Sequence, residues 1–540
     1  MAKKRKKSGP AKKPVVKPAA NPAATAAEVA PVEAPPAAKP SSRGAQRRQA
    51  ARHERRMNPA SSLGPAEDPT FWFGFEITWA KLALARVVVF ALLAIDALRQ
   101  IEHAPRYGAG DFNVAQLPLL DALAPGRVLY SVSELVLAYL FVLVACGVLT
   151  RYVLPIATAL YGWLYFSSHL DSYQHHYLVW LILLLACFVP WQRPATGDAE
   201  TRVAPSTPVR SWALRLIYVQ LAILYLWAAI SKMNVAWLDG STLAGQMTGR
   251  VRSLIDATVH LKGAAVIVIL VELVLAATVW NKRTWFIAAP LGIALHAGIL
   301  ATSLDIGLFA WLMLGLYILV VPDRVWLALA EWRPLDTLRS VFGVIGGWFD
   351  GAMQWLVWIF AAAISLLLAG ISRFDHGFAV GVVLLGTLLV VTIALRKRVS
   401  IAALAIAHLL ALGTWTIVDR TTKTASDYYR LWGGSAKRLG DPKTSEYAYR
   451  RMTEIAPDEG GGHYQLGKLL LDRKADDEGI AELHKAQDLE PLKARAYLAE
   501  ARWLATKGRT DEAIAKAREA TIVEPNDQEA SSLLNSLLPK

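Results

Sequence analysis

The sequence predicts an all-α protein, a polytopic transmembrane helical bundle of about eleven spans followed by a soluble solenoid of helical repeats. Three observations predict it. The chain is 54% hydrophobic and only 19% charged over 540 residues, with a mean hydropathy of +0.32, too apolar for an ordinary soluble enzyme. The apolar residues fill long windows between residues 79 and 418, and both ends of the chain are polar. Near the C-terminus, Pro457, Pro491 and Pro525 recur at a spacing of 34 residues, the period of a two-helix repeat.

The formal charge of +14 suggests nucleic acid until it is mapped. Residues 1–56 hold 15 Lys and Arg against 3 acidic residues, so +12 of the total sits there (15 − 3). Residues 1–70 read as a disordered tail rich in Ala, Pro and Lys, with too few large apolar residues to offset the entropy of ordering. Its basic character suits a cytoplasmic topology anchor beside anionic lipid, not a nucleic-acid site. It has no apolar stretch of the signal-peptide kind. Two cysteines, Cys146 and Cys187, both inside apolar runs, offer neither a disulfide framework nor a thiolate metal site.

A bilayer core takes about 20 apolar residues per helix. By that ruler the candidate spans lie near 79–100, 129–149, 152–168, 175–191, 211–231, 263–280, 284–302, 305–322, 352–372, 376–395 and 399–418. With the tail inside, eleven crossings put Arg151, the loop 192–210, Lys282 with Arg283, Arg324 with Arg333, and Arg396, Lys397 and Arg398 on the inner side. This agrees with the excess of basic residues expected there, although the outer stretch 232–262 also carries four. An odd number of crossings puts the C-terminal domain outside. The expected location is a bacterial inner membrane, N-terminus cytoplasmic.

The repeat register extends beyond proline. Gly440 and Gly508 each precede a repeat proline by 17 residues, Ala486 and Ala520 by 5, Tyr429 and Tyr497 by 28, and Gly433, Gly467 and Ala501 by 24. Small residues belong where two antiparallel helices cross closely, and each proline ends one helix before the next repeat. This is the tetratricopeptide pattern. Three repeats and a last helix over 528–538 predict a short groove for a peptide or protein partner.

A charge inside a span costs about 2.5–3.5 kcal/mol on insertion scales and marks a functional candidate. Lys232 ends the fifth span; His175 and His176 open the fourth after Asp171; His296 lies in the seventh and Glu272 in the sixth; Arg86 and Asp96 lie in the first. The bland readings are a lysine snorkelling to the interface, interfacial histidines and interhelical polar pairing. The functional reading of Lys232 is an amine able to act as a general base. By topology, Lys232 and His175/His176 fall at outer helix ends and are expected to share one cavity.

These residues carry a resemblance to vitamin K-dependent gamma-glutamyl carboxylase and the related HTTM (horizontally transferred transmembrane) group. The run QLAILYLWAAISKMNVAWLDG has Gln220, Tyr225, Ala228, Lys232, Trp237 and Gly240 at the spacing of the carboxylase motif that ends in its catalytic lysine. Where the carboxylase has two lysines, this chain has Ser231 and Lys232. DSYQHHYL is similar to the segment holding the essential histidine, with His176 as the match. LPLLDAL at 117–123, Arg86 before an apolar run ending in Asp96, and His296 followed by IGLF at 306–309 also fit.

The resemblance implies a carboxylase-like core over 71–325, additional spans over 326–422 and repeats over 423–540. It further implies Lys232 as base and His176 as the group that orients an oxygenated quinone. His175, His296, Arg86 and Tyr225 would bind the cofactor, reduced vitamin K or another quinol, with no metal. The large soluble region that holds the carboxylase's propeptide has no counterpart here; three spans and the repeats stand in its place. Two functions compete: quinol-dependent chemistry on a peptide or small substrate, and a non-catalytic membrane-anchored scaffold. A transporter would need repeated halves with broken helices, which the sequence does not present.

Overall fold

The computed structural model describes residues 71–107, 114–170, 173–192, 203–247, 249–302, 308–332, 354–374, 377–395, 401–525 and 527–538, with isolated positions 337, 340 and 344. The basic tail, Asp171, Ile306, Gly307, Arg333 and the cluster 396–398 lie outside the described residues.

Each of the eleven predicted apolar segments is a helix. They are α1 (Trp79–Gln100), α2 (Arg127–Ala145), α3 (Thr150–Phe166), α4 (Gln174–Ala186) and α5 (Trp212–Ser231). After α6 (Val235–Leu238), α7 (Ser241–Gln246) and α8 (Gly249–Thr258) come α9 (His260–Thr278), α10 (Trp285–Ala301), α11 (Phe309–Val320) and the short α12 (Asp323–Ala330). The last three apolar helices are α13 (Gln354–Gly370), α14 (Gly377–Leu395) and α15 (Ile401–Arg420). Helices satisfy their own backbone polar groups, which is the condition for crossing hydrocarbon.

Four stretches among the described residues are long and apolar enough to cross a membrane: Arg127–Ala145, Trp212–Ser231, His260–Thr278 and Lys282–Ala301. A fifth is possible if α11 and α12, bent 93° from one another, make one span. The count of eleven is therefore not reached by length and composition. α1 is long enough but carries Lys81, Arg86, Asp96 and Arg99, while α4 has 13 residues and α11 has 12.

Chain direction alternates, so the bundle has two chemically different ends. At the first, strands β1 (Glu76–Thr78) and β2 (Pro208–Arg210) pair antiparallel with Ile77 opposite Val209. Asp323 there accepts from the Thr78 amide at 2.7 Å and lies 3.8 Å from Lys81 Nζ, and Lys282 donates to the Glu76 carbonyl. At the second end sit the C-terminus of α1, the start of α2 and the 3-10 helix Ile101–Arg106.

The repeats attach to that second end. They comprise α16 (Thr422–Arg438), α17 (Pro442–Ile455), α18 (Gly460–Asp472), α19 (Asp476–Leu489), α20 (Ala494–Thr506), α21 (Thr510–Val523) and α22 (Gln528–Leu537). α16 packs on the 3-10 helix. Arg127 donates to the Tyr428 hydroxyl at 2.7 Å and lies over the Trp432 ring at 3.8 Å; Tyr429 donates to the Arg373 carbonyl at 2.9 Å.

Within the repeats the small residues act as their spacing predicts. Gly433 faces the Tyr449 ring so closely that a Cβ would overlap it, and Gly467 meets the Gly479 carbonyl and Leu483. Gly440 and Gly508 turn the chain with φ of +71° and +76°, a region open to glycine at little cost. Between them in the 34-residue register stands Lys474, at φ +63°. The turn recurs even where the glycine does not.

Candidate active site at the repeat end of the bundle

α4 and α5 run antiparallel, with Phe188 after α4 meeting Trp212 at the start of α5 (ring centroids 5.4 Å apart). The end of α5 therefore lies at the same end of the bundle as the start of α4. Lys232 and His176 both belong to the repeat end.

Lys232 caps α5, and its Nζ donates to Glu272 Oε1 on α9 at 2.7 Å and to the Ala228 carbonyl at 3.3 Å. It also lies 5.3 Å from the centroid of the Trp237 ring, whose indole donates to the Ala265 carbonyl. Glu272 is buried, with a relative exposure of 6%. Two turns inward on α5, Tyr225 lies 2.9 Å from His296 Nε2 and accepts from the Tyr317 hydroxyl at 2.9 Å. Gly292 makes room for Tyr317: a Cβ there would overlap the phenol ring. Glu272 Oε2 and His296 Nδ1 are buried with no hydrogen-bond partner among the described residues.

The histidine pair forms a second cluster. His176 Nδ1 lies 3.0 Å from the Tyr161 hydroxyl, the two imidazoles are 4.4 Å apart, and His175 meets Phe309 at 5.6 Å. Two crevices meet at His176 and Gln100. One is walled by Tyr107, Tyr130, Glu134 and Tyr161, the other by Asp96, His175 and Phe309. Each holds about 30 Å³, room for about one water molecule.

The predicted site residues therefore divide. Lys232, Tyr225 and His296 line one polar path; His175 and His176 line another. Lys232 is paired with Glu272 and His176 lies against Tyr161, and the two crevices at His176 do not include Lys232 in their walls. Arg86 is at the opposite end, donating to the Trp191 carbonyl at 2.6 Å beside Gly147. Its partner sits in a loop whose backbone role has no side-chain signature. Tyr317 and Tyr161 were not singled out in the sequence either, since a tyrosine in an apolar run reads as core. Glu272 was visible as a carboxylate at membrane depth.

A reduced quinone, the cofactor the resemblance implies, meets groups of the right kind at His176, phenols and imidazoles, but in crevices of only about 30 Å³ each. Neither crevice at His176 admits a two-ring headgroup, and the roomier cavity along α5 and α9, about 550 Å³ and walled by Phe71, Ile223, Leu226, Leu273 and Trp280, has no imidazole in its wall, so no step below is routed through a quinone. Among the described residues no group of three or more His, Cys, Asp or Glu could hold a metal ion.

An all-helical bundle with apolar helices of membrane-crossing length, carrying a helical-repeat domain on one end, defines the class: a membrane protein with a soluble repeat appendage. Residues 76–326 match the HTTM domain, and this stretch contains every candidate site residue. No curated protein matches the chain. Among solved structures, YrrB, described as a TPR protein with an unusual peptide-binding site, is 16% identical, covers 28% of this chain and 90% of its own, and has a TM-score of 0.19. The APC/C hetero-tetramer Cut9-Hcn1 is 15% identical over 76% of this chain and 73% of the matched one, with a TM-score of 0.21. Scores that low carry no weight here. The repeat assignment stands on the 34-residue register and the paired helices.

Proposed function

We propose that the protein is a multi-pass membrane enzyme whose chemistry begins with proton abstraction at Lys232, on a peptide or small substrate brought to the repeat end of the bundle. The observation that carries the reading is the half-buried cross-helix pair Lys232–Glu272 at 2.7 Å, continued inward by Tyr225, His296 and Tyr317. Charges at membrane depth are expensive to insert and persist where function needs them. The eleven helices all cross in this reading, with the N-terminus cytoplasmic and the repeats outside a bacterial inner membrane. The attachment of α16 beside the His176 crevices supports capture of a polypeptide close to the site.

The narrow crevices favour a second reading, a membrane-anchored scaffold in which the repeats bind a partner and the bundle is inert. Cells carrying a chromosomal Lys232→Ala chain or a chain lacking residues 424–540 separate the two. Each is compared with a null strain by untargeted metabolite and proteome profiling. Enzymatic function predicts that Lys232→Ala, with the protein still in the membrane, reproduces the null profile. A wild-type profile for Lys232→Ala and a null profile for the truncation would leave only the scaffold.

A further inference from the structure

We infer that the slot between α5 and α9, at the end of the bundle that carries β1 and β2, holds one acyl chain of an anionic phospholipid, with the lipid phosphate received by Arg215, Lys282 and Arg283. The inference uses the bundle's place in a membrane and is independent of any chemistry at Lys232. Shape carries the first half of it. α5 and α9 pack together, but with Ala222 on one and Ala276 and Ala277 on the other they leave a cavity of about 550 Å³ with no charged side chain in its wall. Ile223 and Leu226 in that wall are exposed, so the slot opens sideways, where lipid tails lie. Phe71, Trp72 and Trp280 gather at one end of it, as aromatic rings do at headgroup level. From Val219 to Leu226 the helix rises about 10 Å, within the roughly 15 Å hydrocarbon depth of one leaflet.

Charge carries the second half. Arg215 is only 8% exposed; its guanidinium lies 3.7 Å from the centroid of the Phe71 ring and donates to the Trp280 carbonyl at 2.6 Å, so it joins two walls of the slot. Its Nε is buried with no partner among the described residues. A buried cation short of acceptors is costly, and the fork of a guanidinium matches the oxygens of a phosphate. Lys282 and Arg283 follow Trp280 within three residues and are exposed. Lys282 gives a hydrogen bond to the Glu76 carbonyl and, as an ammonium, has further donors for a ligand. A basic site between helices at the end rich in Lys and Arg is where anionic headgroups bind. A zwitterionic lipid would bring its own cation to three others, which is why the class is anionic.

The test counts bound lipid. Full-length protein in detergent micelles is titrated with phosphatidylglycerol or with phosphatidylcholine of the same acyl chains, and adducts are read by native mass spectrometry. The first phosphatidylglycerol adduct should form at a concentration at least about tenfold lower than the first phosphatidylcholine adduct, and the preference should disappear in a Lys282→Gln/Arg283→Gln chain, since each basic residue near an anionic headgroup is worth about fivefold. Ala276→Leu, which fills the slot, should remove the first adduct of both lipids. Equal affinity for the two lipids in wild type overturns the inference, as does an undiminished preference in the charge variant. A folded Ala276→Leu chain that takes up lipid as wild type does overturns the placement in the slot. A lipid-free dimer in wild type overturns it too, by giving the slot to a second copy. If Ala276→Leu loses its thermal transition, the charge variant, altered only at exposed positions, decides alone.

Discussion

The bundle and the repeats differ in how deeply they place their paired charges. In the repeats, many ion pairs are solvated; some tie neighbouring helices, as Lys437–Asp472, Arg450–Glu478 and Lys507–Asp476 do, and others, Arg451–Glu454, Lys485–Glu482 and Lys516–Glu519, are three residues apart on one helix. Such pairs contribute only a few tenths of a kcal/mol each, about 0.2–0.5, and serve solubility. In the bundle, one member of each such pair is buried and its partner, partly exposed, comes from far along the sequence, as in Lys232–Glu272 and Lys81–Asp323. Breaking a buried pair costs about 3–5 kcal/mol, because the other charge is left without a partner. A solvated pair in the repeats contributes little wherever its partner lies; a half-buried pair in the bundle helps fix which helices meet.

The sharpest way to break this contrast is at Gly292. Replacing it with Leu drives a side chain into the Tyr317 ring and parts α10 from α11, with an overpacking cost of about 1–3 kcal/mol added to the lost Tyr317–Tyr225–His296 contacts. Thermal unfolding in detergent should show the bundle destabilised and the repeats unaffected; an unchanged bundle would mean the two helices do not meet there.

Next in size is the joint between the regions. Arg127→Ala removes the hydrogen bond to Tyr428 and the contact with Trp432, together about 1–3 kcal/mol. Hydrogen exchange should quicken in α16 and leave α9 and α10 as they were. Equal protection in both proteins would show that the repeats are held by other contacts.

Acid should act on the repeats through Glu482. Burial would raise its carboxyl, but hydrogen bonds from Lys485 and His463 outweigh that and hold it below the usual carboxylate value. A depressed folded value stabilises fully above the unfolded value of about 4.3 and is lost as pH falls through the folded one. Stability of α18 and α19, read by hydrogen exchange, should therefore fall below about pH 4, and less steeply in Glu482→Gln.

The smallest effect is a gain. Lys474→Gly puts glycine at the remaining left-handed turn of the register and should stabilise the repeats by about 0.5–1 kcal/mol. A loss there would show that the Lys474 side chain makes up for its backbone strain.

How far the sequence could be read also differs between the regions. The repeat helices were legible because their signals are local: proline at helix ends, glycine at turns, alanine at crossings, all in one 34-residue register. Lys474 escaped because a left-handed turn need not carry glycine. The bundle helices were legible as apolar runs, but not their partners. That Lys232 meets Glu272, and not a histidine, depends on how α5 and α9 rotate against each other, which composition does not encode. Arg86 fell outside the site because its helix runs the length of the bundle and the residue sits near the far end.

The central claim is that the repeats, Lys232 and His176 share one end of the bundle and face outside. Cysteines placed at Met233 and Leu492, both exposed, test it against Cys146, which is exposed after α2 at the strand end. A membrane-impermeant maleimide applied to intact cells should label positions 233 and 492 and spare Cys146, with the reverse in inside-out vesicles. Labelling of 233 and 492 from opposite sides would contradict the shared end, and labelling of both only in inverted vesicles would overturn the orientation.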